Sequence, residues 1–204
     1  MIILNNDFSE IARELIDMVK KDLSMQEKLY KSNNLAEEYN PDLEKIHQEN
    51  AQRLLSIIYE MGWPTVKKVG YEASLSAWTI LQNAISCPEL QRISVPILME
   101  LAQNKDIYPS EVAVLYDRIC YFEMRPQKYG TQFDYDENDE LSPWKIEDED
   151  NVDIYRKQVG LPPLQDAINR MRELAKEYNE KPNLSYNERQ KRRLEWAKRV
   201  GWIK

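Results

Sequence analysis

Apolar residues recur at helical spacing along most of this chain, which predicts a mainly α-helical fold. The clearest apolar stripe runs from Leu43 to Met61 and stops at Gly62, a residue type that commonly ends helices. Prolines mark the starts of two later helices, at Pro88 and Pro109. Five helices are therefore predicted in the first part of the chain, over residues 9–29, 43–61, 72–86, 88–101 and 109–124.

The segment from Glu72 to Ser86 differs from the others because its apolar side chains lie on every side of the helix. Leu75, Trp78 and Leu81 are among them. A helix without a polar face belongs in the interior, so we expect this one to be the central and most buried helix.

The spacing of apolar residues changes after about Met124. Two short stretches, 129–133 and 141–146, flank an acidic, turn-rich connection, and this arrangement predicts a β-hairpin. Three further helices are predicted over 152–159, 162–178 and 185–200, the last with the capping-box spacing of Ser185 and Glu188. The expected fold is a compact multi-helix domain, mainly α, with a small β-hairpin after the fifth helix.

The run Lys181-Pro182-Asn183 is typical of a linker. We therefore expect a helical domain over residues 1–180, containing a motif-bearing core at 43–165, and a basic helical appendage at 181–204. On this division the core stays folded when 181–204 are removed.

The chain has 204 residues, of which 42% are apolar, so it can form a substantial core. No apolar stretch reaches the length of a membrane span, and the apolar residues at the start are too few for a signal peptide. We therefore expect a cytoplasmic protein that does not enter a membrane.

Charge is distributed unevenly. Residues 134–153 contain ten acidic residues and one lysine, whereas residues 185–204 contain seven basic and two acidic residues together with Trp196 and Trp202. A basic helix with tryptophans can contact nucleic acid, but a net charge of -7 disfavours a phosphate backbone as partner. We expect the basic tail to fold back onto the acidic hairpin or another acidic surface.

The run from Arg125 to Gln132 combines long polar side chains with Gly130 beside the predicted end of a helix. Such a run forms either a hydrogen-bonding wall or the anchor of a difficult turn, because glycine accepts positive φ and the amides bond in either setting. The residues leave both alternatives open.

The order of several short motifs resembles that of a bacterial family of unknown function, over about residues 43–165. The motifs are Gly62-Trp63-Pro64-Thr65, Gly70, Ala77-Trp78, Gln82, Asp117-Arg118, Pro126-Gln127, Tyr129-Gly130-Thr131-Gln132, Ile146-Glu147-Asp148, Gly160-Leu161 and Pro163-Leu164. The resemblance implies no known activity. It matches Asn50 to an asparagine of the pattern, whereas Asn83 stands where the pattern reads histidine, and an amide cannot act as a catalytic base.

His47 is the only histidine, and it lies three residues from Asn50 on or beside the apolar stripe. It is either a core histidine bonded to a carbonyl or carboxylate, a pocket residue, or a metal ligand. Gln82 follows Trp78 by one turn and needs a hydrogen-bond partner if buried. Arg118 either pairs with an acidic residue or binds an anion. No metal site, cofactor or nucleophile–base pair is identified.

Two functional hypotheses follow. In the first, the protein has a polar pocket that recognises a small anionic or amide-bearing ligand, with catalysis undecided. The wall of that pocket is predicted to comprise His47, Asn50, Trp63, Gln82, Arg118, Gln127, Tyr129 and Gln132. In the alternative, the protein is an interaction module whose polar motif is structural and whose charged C-terminal region binds a protein partner.

Overall fold

The computed structural model describes residues 8–31, 39–178 and 181–204. These residues form nine helices and one two-stranded antiparallel sheet, which confirms the mainly α-helical fold with a small hairpin. None of the described helices has both the length and the apolar character needed to cross a bilayer. The chain divides into two compact units, Met1–Ile97 and Leu98–Lys204, with the boundary inside a helix.

The helix bounds follow the sequence pattern closely, except for one extra turn. The elements are α1 (Ser9–Lys31), α2 (Pro41–Met61), α3 (Val66–Val69), α4 (Tyr71–Asn83), α5 (Pro88–Gln103), α6 (Pro109–Phe122), β1 (Phe133–Tyr135), β2 (Leu141–Pro143), α7 (Val152–Gln158), α8 (Leu164–Glu177) and α9 (Tyr186–Val200). The four residues of α3 are too few to show a periodic pattern, so α3 was not predicted. The hairpin therefore follows the sixth helix rather than the fifth.

In the first unit, α1, α2 and α4 pack against one another. Leu15, Leu54 and Leu81, one from each of these helices, are fully buried. Arg53 of α2 also donates from Nε and Nη2 to the two carboxylate oxygens of Glu14 on α1, at 2.6 and 2.8 Å. The bidentate ion pair thus joins α1 and α2, which also pack through their apolar stripes.

α4 packs against α1, α2 and α3, as expected of a central helix, but it is not buried on every side. Tyr71 and Leu75, one turn apart, are 72% and 49% exposed, and Trp78 is only half-buried. The buried face is built on small residues, including Ala73 and Ala77, which let α4 lie close to α1 and α2. A helix that contacts its neighbours along one face leaves the other face in water even when that face is apolar.

In the second unit, the end of α6 packs against the C-terminal residues. The Phe122 ring stacks on Trp202, with 5.3 Å between centroids, and contacts Trp196 at 5.2 Å. Trp202 and Ala197 are buried. Residues after 180 therefore belong to the compact second unit, and the division of the chain falls at Ile97 instead.

The basic helix α9 lies on the acidic hairpin, which the opposite charges predicted. Arg193 donates from Nη1 to Asp134 of β1 at 2.9 Å, and Arg189 donates to the Tyr135 carbonyl at 2.8 Å. The Arg193 guanidinium also lies over the Trp144 ring, 4.0 Å from its centroid. Arg189 and Arg193 of the tail thus both bond to the hairpin of the same chain.

The hairpin is shorter than predicted. Its register pairs Phe133 with Pro143 and Tyr135 with Leu141, so β1 begins four residues after the predicted start at residue 129. The amides of Tyr129, Thr131 and Gln132 do not join the ladder because they bond to side chains, as described below. The turn is held by Asp136, whose Oδ1 accepts from two backbone amides of residues 138–140.

Candidate functional site

Each unit contains one buried polar cluster. In the first unit we call Asp22, Gln26, Tyr39, His47 and Asn83 the His47 cluster; in the second we call residues 127–132 the motif loop. The eight residues predicted to line one pocket divide evenly between the units. His47, Asn50, Trp63 and Gln82 belong to the first unit, and Arg118, Gln127, Tyr129 and Gln132 belong to the second.

His47 is buried on α2, and both of its ring nitrogens are hydrogen-bonded. Its Nε2 lies 3.0 Å from Oδ1 of Asp22, which is also buried, and its Nδ1 meets the hydroxyl of Tyr39. With the carboxylate ionised, we assign the proton to Nε2, which donates to Asp22. Nδ1 then accepts from the Tyr39 hydroxyl, and the three groups form one chain of hydrogen bonds.

Asp22 forms the buried end of this chain of hydrogen bonds. Its carboxylate also accepts from the amides of Gln26 and Asn83, each at 2.8 Å. Burial raises the pKa of Asp22, but the hydrogen bonds from His47, Gln26 and Asn83 outweigh it and lower the pKa below the usual value. The carboxylate is therefore ionised at neutral pH although it is enclosed by protein.

Asp22 and Tyr39 are not among the site residues that the sequence predicts. Asp22 follows Met18 by one turn on the apolar stripe of α1, and a carboxylate at such a position signals a buried polar site. Tyr39 gives no periodic signal because it precedes α2, next to Asn40. Asn40 caps that helix by accepting from the amides of residues 42 and 43, which places Tyr39 at the helix entrance.

Tyr39 is the half-buried residue at the other end of this hydrogen-bond chain, and its hydroxyl also lies 3.5 Å from the Asn83 carbonyl. Burial raises the pKa of Tyr39, and the nearby carboxylates of Glu44 and Asp22 raise it further. The phenol therefore stays protonated and can donate a hydrogen bond. Such a chain can form hydrogen bonds with a polar ligand.

The other three residues predicted for the first unit lie on α2, just after α2 and on α4. Asn50 is buried three residues after His47 on α2, and Trp63 is buried just after that helix ends. Gln82 is half-buried and immediately precedes Asn83. Their role in a pocket stays a prediction.

The motif loop in the second unit encloses a buried carboxylate. Asp117 of α6 is fully buried and accepts from the backbone amides of Lys128, Tyr129 and Thr131 at 2.9–3.1 Å. The Thr131 hydroxyl donates to the same carboxylate at 3.0 Å. Burial raises the pKa of Asp117, against the opposing effect of these hydrogen bonds. These bonds take the amides of Tyr129 and Thr131 away from the predicted strand.

A buried arginine holds the other side of the motif loop. Arg156 of α7 donates from Nη1 to the carbonyls of Tyr129 and Gly130, and from Nε to the Pro162 carbonyl at 2.6 Å. Burial lowers the pKa of Arg156. The loop is thus fixed through its amides by a carboxylate and through its carbonyls by a guanidinium.

The Gln127 side chain is fully buried and fully bonded. Its amide nitrogen donates to the carbonyls of Gln132 and Trp144 at 2.9 and 2.8 Å, and its Oε1 accepts from the Gln132 backbone amide at 2.9 Å. Gln132 donates from its own side chain to the Thr131 hydroxyl at 3.2 Å. These contacts favour a structural role for Gln127, since its side chain is buried and both of its side-chain N–H groups bond within the protein.

Arg118 and Tyr129 are half-buried beside this network. Burial lowers the pKa of the Arg118 guanidinium and raises that of the Tyr129 phenol. The Tyr129 ring meets that of Tyr116 edge to face, with 6.4 Å between centroids. A ligand contact by either residue stays a prediction.

Gly130 offers a test of the motif loop. It has a φ of +65°, and a Cβ at this position would lie 2.8 Å from Cδ1 of Leu164 and 3.1 Å from Cδ1 of Ile146. Gly160 has a φ of +77° but no atom within 4 Å of such a Cβ. We expect Gly160→Ala to lower the free energy of unfolding by about 1–2 kcal/mol through backbone strain alone. Gly130→Ala should lower it by a further 1–3 kcal/mol or so through crowding.

Urea unfolding of the two variants measures this difference. Equal losses of stability would show that the side chains around Gly130 move aside without penalty. The comparison separates crowding from backbone strain because both glycines have left-handed φ.

Comparison with known proteins adds membership of a family but no activity. Neither the curated proteins nor the solved structures contain a match to this chain. A family model described as a family of unknown function, DUF6624, matches residues 9–181, which include the His47 cluster and the motif loop. This chain therefore belongs to the family of unknown function DUF6624.

Proposed function

We propose that the protein recognises a small amide-bearing ligand through the His47 cluster, with Tyr39 as the residue that meets the ligand. The observation that carries this proposal is the continuous chain from Asp22 through His47 to Tyr39. Its inner end is a buried carboxylate and its outer end a half-buried phenol. A hydroxyl oriented in this way is a prepared hydrogen-bonding group.

The charges around Tyr39 favour an amide over an anion. Both Glu44 and Asp22 raise the pKa of Tyr39, so the site already contains negative charge that repels an anionic ligand. A neutral amide avoids this repulsion. While the Tyr39 hydroxyl donates to His47, its oxygen keeps lone pairs that accept from the N–H of an amide.

The alternative proposal is a protein-interaction module. The internal bonding of Gln127 supports a structural motif, as that proposal requires. The basic tail supports it less, because Arg189 and Arg193 are occupied by the hairpin of the same chain. We therefore favour ligand recognition by the first unit.

A single histidine makes the proposal directly testable, because an NMR spectrum of labelled histidine contains one imidazole and needs no assignment. We expect at least one of the probes acetamide, nicotinamide and glutamine to shift the His47 signals in a saturable way. Tyr39→Phe should weaken the binding of that probe by about tenfold, the effect of one lost hydrogen bond.

Tyr59→Phe is the matched control, since Tyr59 is an exposed tyrosine on α2 and should leave the titration unchanged. Saturable binding that Tyr39→Phe leaves intact would overturn the role of Tyr39. Failure of all three probes to shift the signals at millimolar concentration would overturn the proposal of an amide site.

A further inference from the structure

A groove of about 630 Å³ lies in the second unit, between the hairpin and α8. Tyr135 of β1, Leu141 of β2 and Ala175 of α8 contribute its apolar surface. Arg172 of α8 joins the two sides by donating from Nε to the Leu141 carbonyl at 2.9 Å. The volume falls within the range of clefts that accept small molecules.

The acidic groups at the rim of the groove are neutralised within the chain. Glu140 pairs with Arg172, with 3.0 Å between Oε2 and Nη2, and Asp139 pairs with Arg189 at 3.5 Å. These two carboxylates therefore present little net negative charge to a ligand in the groove.

Two further cations line the groove without such partners. Lys176 and Lys181 are exposed, and within the described parts of the chain neither side chain makes a hydrogen bond or an ion pair. The residues that line the groove thus carry one more positive than negative charge, Arg172, Lys176 and Lys181 against Asp139 and Glu140, on a protein whose net charge is -7. Local positive charge beside an apolar surface attracts an anion that also has an apolar part.

We propose that this groove binds a small organic anion consisting of a planar ring with a phosphate or carboxylate group. The ring lies against Tyr135 and Leu141, where aromatic and aliphatic surface removes it from water. The anionic group lies between Lys176 and Lys181, whose ammonium groups act as point charges for phosphate or carboxylate. The site lies wholly within the second unit and is independent of the His47 cluster.

Isothermal titration with 1-naphthyl phosphate tests the proposal, using 1-naphthol as the neutral counterpart. We expect the phosphate to bind the wild-type protein at micromolar to millimolar concentration and more weakly as salt is added. The double variant Lys176→Ala/Lys181→Ala should bind it at least about tenfold more weakly. The control Lys157→Ala/Lys191→Ala removes two exposed lysines that do not line the groove and should bind as the wild type does.

A second variant addresses the apolar surface. Ala175→Leu narrows the groove and should weaken binding of 1-naphthyl phosphate without removing a charge. Circular dichroism melting shows whether each variant is folded. If the lysine variant is unfolded, the salt dependence of binding to the wild-type protein tests the role of charge instead.

Three results would overturn the proposal. They are no measurable binding of 1-naphthyl phosphate, equal binding by both double variants, and binding of 1-naphthol as tight as that of the phosphate. Because the lysine variants leave the His47 cluster unchanged, these results do not depend on the function proposed for the first unit.

Discussion

Asp117→Ala is expected to lower the free energy of unfolding by about 3–5 kcal/mol, a large part of the stability of an ordinary domain. The substitution removes the acceptor of three backbone amides and the Thr131 hydroxyl, all directed at one buried carboxylate. Each buried donor left unpaired is destabilising by about 1–3 kcal/mol unless water reaches it. Arg156 would still bond to the carbonyls of the motif loop, but the amides of the loop would have lost their acceptor.

Urea unfolding followed by tryptophan fluorescence measures this effect, since three of the five tryptophans, Trp144, Trp196 and Trp202, lie in the second unit. Asp150→Ala is the control, since Asp150 is an exposed carboxylate of the same unit and its removal should change stability by less than about 0.5 kcal/mol. A loss below about 1 kcal/mol for Asp117→Ala would show that water replaces the carboxylate.

Removal of residues 181–204 is expected to abolish the fold of the second unit, contrary to the expectation from the linker-like sequence. The deletion uncovers Phe122 and the Trp144 ring and leaves Asp134 without its arginine. Trp202→Ala alone should lower the free energy of unfolding by about 3–5 kcal/mol, as other large-to-small changes in a core do.

Soluble expression and near-ultraviolet circular dichroism of the truncated chain test this expectation. Removal of Lys204 alone, an exposed residue, should have no effect. A truncated chain that keeps its melting temperature and its near-ultraviolet spectrum would show that 181–204 are the separable appendage that the sequence predicts.

The two proposed sites require different properties of a ligand. The His47 cluster contains a satisfied carboxylate and a protonated phenol, which suit a neutral amide. The groove in the second unit presents Lys176 and Lys181, which suit an anion. Probes of each class, tested on variants of each unit, therefore distinguish the sites.

Local rules in the sequence determined most of the secondary structure. The apolar stripe of α2 ends at Gly62, and Ser185 and Glu188 form the capping box that starts α9. These features act within a few residues, so periodicity and caps suffice to identify them. The opposite charges of α9 and the hairpin likewise indicated their contact, and His47 could be identified as a polar residue on an apolar stripe.

Only the tertiary structure decided which polar groups meet. Asp22 bonds to His47 across 25 residues and to Asn83 across 61, and no local pattern encodes such pairings. In the same way, the amides after Gln127 bond to Asp117 of a preceding helix rather than to a strand, so a segment with strand-like residues becomes a loop. Periodicity reports which face of an element is apolar, whereas buried polar groups take whichever partners the packed helices bring within hydrogen-bonding distance.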